Sequence, residues 1–78
     1  MVDLLQNIDK IHTTKLGIVR IKKNLNIDTD VVEYCKGLIF DKNCKIYKQG
    51  KNIYCKIDNT VITINSCTFS IITAHIIN

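Results

Sequence analysis

The feature that most constrains this chain is a change in the spacing of its apolar residues near Phe40. Before that point Leu4, Leu5, Ile8 and Ile11, then Ile18, Ile21 and Leu25, then Val31, Cys35, Leu38 and Ile39 recur at helical spacing, which gathers side chains on one face of a helix. Two to three N-terminal helices follow, the first only a turn or two long. Thr13 and Thr14 are placed to cap a helix beginning near Lys15, and Asp28 or Asp30 one beginning near Val31. Short oxygen-bearing side chains satisfy the unpaired amides of a first turn, and carboxylates suit the positive end of the helix dipole.

After Phe40 the period becomes two. Cys44 and Ile46 alternate with Lys45 and Tyr47; Ile53, Cys55 and Ile57 with Asn52, Tyr54 and Lys56; Ile62 and Ile64 with Val61 and Thr63, as in strands that bury one face. Gln49-Gly50 and Asp58-Asn59 are suited to two-residue hairpin turns, because Gly and Asn tolerate positive φ. Centring the first hairpin on Gln49-Gly50 sets Ile46 opposite Ile53 and Cys44 opposite Cys55, with Lys45 opposite Tyr54 and Tyr47 opposite Asn52 on the other face. The second turn sets Cys55 opposite Ile62 and Ile53 opposite Ile64. All the apolar partners share a face, and a slip of one residue would scatter them.

The expected fold is therefore α+β. Residues 1–78 form a single domain, with a helical part over 1–40 and a four-stranded antiparallel β-meander over 42–77, the helices packed on the Cys/Ile face. A chain of 78 residues has no room for a second core. With 46% hydrophobic and 23% charged residues and no proline, the composition is that of a globular domain and excludes a disordered tail.

The last strand, in "SIITAHIIN", is ambiguous: neither Phe69, Ile71, Thr73 and His75 nor Thr68, Ser70, Ile72, Ala74 and Ile76 makes a clean apolar face. Two readings stay open. A β-bulge near Ile71 and Ile72 would put Phe69 and Ile71, then Ile72, Ala74 and Ile76 in the core, leaving Thr73 and His75 on the open face. Without a bulge, Thr73 and His75 are partly buried and hydrogen-bonded.

No stretch is long enough to span a bilayer, and the N-terminus MVDLLQNIDK is acidic where a secretory signal is basic. The expected location is the cytoplasm, with no membrane association. Cys35, Cys44, Cys55 and Cys67 lack the close spacing of a zinc site, so no metal is expected, and free core thiols fit better. No cofactor is implied either, since no glycine-rich phosphate loop or nucleophile elbow is present. The net charge of +4 is uneven: residues 1–39 hold six basic and five acidic side chains, and residues 40–78 five lysines against Asp41 and Asp58. Such an excess suits a phosphate-bearing partner, and it equally suits a solvated face.

On the bulge reading the open face displays Lys45, Tyr47, Asn52, Tyr54, Lys56, Thr63, Thr73 and His75. Tyrosines that stack on bases and lysines that bind phosphate favour single-stranded RNA over a rigid duplex, and the same residues are equally ordinary for a solvent-facing sheet. Lys48 and Lys51, facing each other across the Gln49-Gly50 turn, would hold an anion between them. His12 and His75 are the only histidines. Two imidazoles flanking a phosphodiester can act as base and acid without metal, with Arg20, the sole arginine, as a phosphate clamp.

The stretches "DKIHTTKLGIVRIKKNL" (9–25), "GKNIY" (50–54) and "DNTVITINSCTFSIITAH" (58–75) resemble the DUF3781 family, small bacterial proteins classed as a domain of unknown function. His12, Thr13, Thr14, Arg20, Asn24, Lys51, Asn52, Tyr54, Asn65, Thr73 and His75 match its pattern, which often has Trp at the position of Ile53 and Tyr at that of Phe69. The family supplies no activity. In architecture the chain is also distantly similar to the small ribonuclease fold of barnase-like, colicin-like and RelE-like toxins, whose open sheet face cuts RNA; such analogy does not establish function.

The leading expectation is an RNA-directed protein, in its sharpest form a metal-independent ribonuclease. His75 would be its general acid or base together with His12, Arg20 and Lys51 would hold phosphate, and Tyr54 and Thr73 would orient substrate beside Asn52, Lys56 and Tyr47. One alternative is a non-catalytic module for RNA or a phosphate-bearing nucleotide. Another is a protein-binding inhibitor of phage or toxin-system type that uses the sheet edge or the Phe69/Ile71 region. Pairing of an exposed edge strand would also give a homodimer.

Overall fold

The computed structural model describes residues 4–77, so Met1 to Asp3 of the expected helical part, and Asn78, lie outside the described residues. A 3-10 helix over Leu5–Lys10 is followed by helices α1 (Lys15–Leu25) and α2 (Val31–Phe40) and strands β1 (Lys45–Gln49), β2 (Asn52–Ile57), β3 (Thr60–Asn65) and β4 (Ile71–Ile76). Helix α1 starts where Thr14 Oγ1 accepts from the Gly17 amide at 3.0 Å. It ends at Asn26 in the left-handed region (φ 55), where the Ile27 amide reaches back to the Lys22 carbonyl. Of the two candidate caps for α2, Asp30 is the one used, its carboxylate accepting from the Glu33 amide.

The four strands form one antiparallel sheet in the order β1-β2-β3-β4. Helix α1 lies against β4 and α2 against β2. Ile21 and Leu25, then Val31, Cys35 and Ile39, meet Ile53, Cys55, Ile62, Ile64, Ile71 and Ala74 in one buried cluster. The two helical stripes and the apolar sheet face thus bury each other.

The β2-β3 hairpin has the expected register, Cys55 opposite Ile62 and Ile53 opposite Ile64. The β1-β2 hairpin is shifted by two residues: Ile46 faces Cys55, Tyr47 faces Tyr54 and Lys45 faces Lys56, so the turn is Gly50-Lys51 rather than Gln49-Gly50. Gly50 then takes the first central position with φ 64, where a type II′ turn demands positive φ and glycine supplies it. An even shift keeps each side chain on its expected face. It also separates Lys48, now opposite Ile53, from Lys51, which sits in the turn, so the anion site expected between them does not form. Every residue of β1 is exposed, Ile46 included, because the helices pack on β2 and β4 and leave the first edge strand uncovered.

In β4 the bulge is present. Thr63 pairs with Thr73 and Ile64 with Ile71, leaving Ile72 without a partner. Ile71 and Ala74 are buried, whereas Ile72 and Ile76 are exposed, correcting their expected place in the core. Ile72 is the extra residue of the bulge and Ile76 lies at the sheet's end, opposite Thr60. Phe69 is half-buried with φ 60, and the Lys10 ammonium lies 5.9 Å from its ring centroid.

Candidate nucleic-acid interface

Residues directly opposite each other in an antiparallel pair point to the same side of the sheet, so the register assembles the open face in three rows. The first runs Lys45, Lys56, Val61, His75; the second Tyr47, Tyr54, Thr63, Thr73; the third Gln49, Asn52, Asn65. The middle row carries the aromatic contact. The Tyr47 and Tyr54 rings stack with centroids 5.4 Å apart and planes at 23°. Asn52 Nδ2 lies 3.4 Å from the Tyr54 hydroxyl, and Thr63 is buried between Tyr54 and Thr73. Tyr47 remains half exposed at the sheet's edge.

Beside this platform, Lys45 and Lys56 are direct partners across the strands. Like charges so placed repel, and no carboxylate forms an ion pair with either among the described residues. Asn43 and Asp58 complete a shallow cleft around them. Neither was read from the sequence as a site residue, Asp58 being placed only in the second hairpin turn: their place at the cleft depends on the shifted register, and the glycine demanded at the first central turn position is the signal that could have revealed it.

The structure gathers Tyr47, Asn52, Tyr54, Lys56, Thr73 and His75 on one face. It does not bring His12, Arg20 or Lys51 to them. The His12 amide donates to the Phe69 carbonyl and its carbonyl accepts from the Ile71 amide, so it bridges to Ser70 just ahead of β4. At five residues from His75, with about 3.3 Å of rise each, the two backbones stand roughly 15 Å apart. His12 Nδ1 is engaged with the Lys10 carbonyl at 2.9 Å. The expected pair of histidines across one phosphodiester is therefore not formed. Arg20 is exposed on α1, the layer that packs on the opposite side of the sheet. Lys51 projects from the hairpin tip, its carbonyl accepting from the Ser66 amide.

All four cysteines are free thiols. Burial pushes Cys35 up to about 11 and Cys55 up to about 12, and raises Cys44 as well, with the Asp41 charge adding to it. These three stay protonated near neutrality and are poor nucleophiles. Cys67 departs from the expectation of core thiols: it is exposed in the β3-β4 loop, its amide bonded to Asn65 Oδ1. No group of three or more His, Cys, Asp or Glu among the described residues is arranged to hold a metal ion. No described helix is long and apolar enough to cross a membrane.

A family model described as "Protein of unknown function (DUF3781)" matches residues 5–75. No curated protein and no solved structure matches the chain.

Proposed function

We propose that this chain, which belongs to the DUF3781 family, binds single-stranded RNA along the open face of its sheet. The observation that supports this best is the stacked Tyr47–Tyr54 pair lying next to the facing Lys45–Lys56 pair on the same two strands. Bases of an unpaired strand expose their ring faces and stack on tyrosine whatever their identity, while ammonium groups hold the phosphates between them. A duplex hides those ring faces, so a flat aromatic and basic surface favours a single strand. The net charge of +4 adds long-range attraction for a polyanion.

Binding to a fluorescein-labelled oligouridylate, followed by anisotropy over a range of salt concentrations, tests this reading. The wild-type chain is expected to bind with an affinity that falls steeply with salt. Replacing both Lys45 and Lys56 by alanine should weaken binding and reduce the slope of log K against log salt by about 1.4, two phosphates' worth for a single strand. Affinity and slope unchanged in that variant would remove the face from consideration.

The ribonuclease form of the reading keeps one favourable observation, since His75 shares a row with Lys56 and neighbours Thr73 on the open face. With His12 remote, no second imidazole supplies the opposite proton. The expected result of incubating the protein with RNA in chelator is retention of intact RNA by both wild type and His75→Ala. Fragments formed by the wild type and absent with His75→Ala would replace binding by cleavage as the function.

A further inference from the structure

The first row of the open face begins in a cleft of about 240 Å³, lined by Asn43, Lys45, Lys56 and Asp58 at the corner where β1 starts and β2 turns into β3. Two lysines facing each other are an obvious place for an anion. The unexpected member of the group is Asp58. Its φ of 53 belongs to the left-handed region, where Gly and Asn are at least as comfortable. The turn thus accounts for a short residue there and not for a negative charge. Nor does the carboxylate form an ion pair with either lysine: the Lys36–Glu33 contact is the one ion pair among the described residues.

A carboxylate beside an anion site lowers affinity for a bare phosphate by repulsion. It contributes only if the ligand also brings a hydroxyl for it to accept from, and such charge-assisted bonds are the strong ones. Ribose carries that hydroxyl next to its phosphate, and the 2′-hydroxyl is the group that lets a protein tell RNA from DNA.

We propose that this cleft holds one ribose-phosphate unit of the bound strand, with Lys45 and Lys56 on the phosphate oxygens and Asp58 accepting from the 2′-hydroxyl. The open face then selects RNA over DNA of the same sequence. Asn43, its backbone amide donating to Asp41 Oδ1 at 2.8 Å, also lines the cleft. This inference rests on the reading of the open face as an RNA-binding surface and adds a specificity that the Tyr47–Tyr54 platform, indifferent to the sugar, does not supply.

The test compares anisotropy titrations of the full chain with oligouridylate and with its 2′-deoxy counterpart, which differ only in the hydroxyl. The wild type should bind the ribose form at least about tenfold more tightly, the low end of what a hydrogen bond to a charged group contributes. Asp58→Gly suits positive φ and removes the carboxylate; its preference should fall to about one, with affinity for the deoxy strand equal to or above wild type as a negative charge is lost. Asp58→Asn keeps the turn and a neutral acceptor, and should fall between the two. Tight binding of both strands with no wild-type preference, or a preference that persists in Asp58→Gly, would overturn the cleft assignment while leaving the RNA-binding face intact. Failure to bind either strand would overturn the RNA-binding reading itself, and the cleft assignment with it.

Discussion

Replacing Tyr54 by alanine is expected to weaken binding of single-stranded RNA by about 2 kcal/mol, roughly thirtyfold, the middle of the range for losing one base-stacking aromatic. Tyr54 is the residue to test because it stands between Tyr47 and Thr63 in the middle row. Its removal takes away one ring and the support of another, since Tyr47 stacks against it from an exposed edge strand. Tyr54→Phe keeps the ring and loses only the long 3.4 Å contact with Asn52, so its affinity should stay within about twofold of wild type. Neither variant removes a charge, so the salt slope should remain that of the wild type, unlike the double lysine variant. Titration alongside a circular dichroism melt separates lost stacking from lost folding. Wild-type affinity in a folded Tyr54→Ala would show that RNA, if bound, lies elsewhere.

The second large effect concerns stability, and its sign differs between two helical glycines. A Cβ added at Gly17 would run into Thr13 Oγ1, which donates to the Ile71 carbonyl at 3.2 Å, and would crowd the Thr14 hydroxyl that caps α1. Gly17→Ala therefore forces Thr13 to rotate and leaves a part-buried carbonyl at the bulge short of a partner. These losses come to about 3 kcal/mol, against about 1 kcal/mol gained from alanine's helix propensity, so a net loss near 2 kcal/mol is expected. At Gly37 in α2 an added Cβ meets nothing within 4 Å, and Gly37→Ala should stabilise by about 0.5–1 kcal/mol. Urea denaturation reads both. Adding Thr13→Ala to Gly17→Ala removes the colliding hydroxyl and should recover part of the loss, a coupling absent between Thr13 and Gly37. A Gly17→Ala midpoint above wild type would mean that Thr13 does not anchor the start of α1 to β4.

Much of this architecture was legible before any contact was known. The two periodicities on either side of Phe40 separate helices from strands, and the pairs Thr13/Thr14 and Asp28/Asp30 mark where α1 and α2 begin, with the structure selecting Thr14 and Asp30. The single apolar face of β2 and β3 specifies their pairing, since a slip of one residue there would expose Ile53, Cys55, Ile62 and Ile64 together. These features are local or depend on a pattern repeated along neighbouring strands, so a linear sequence carries them. The clash of phase at Ile71 and Ile72 offered a bulge as one of two readings, and only the pairing of Thr63 with Thr73 and of Ile64 with Ile71 decided for it.

What the sequence did not carry depended on a shift of two residues and on which elements the helices cover. A two-residue shift in β1 keeps every side chain on its face, so hydrophobic patterning is blind to it. Positive φ at Gly50 and the gain from stacking Tyr47 on Tyr54 favour the observed register, which places Lys45 against Lys56 and creates the cleft. His12 is kept from His75 because it joins the sheet at Ser70, ahead of β4, and Arg20 lies on the far side of the sheet because α1 packs there. Residue type and spacing determined the elements and their buried faces, because burial acts on each side chain where it stands. The composition of the site was decided only in three dimensions, because it is set by the partner across the sheet and that partner lies outside the local sequence.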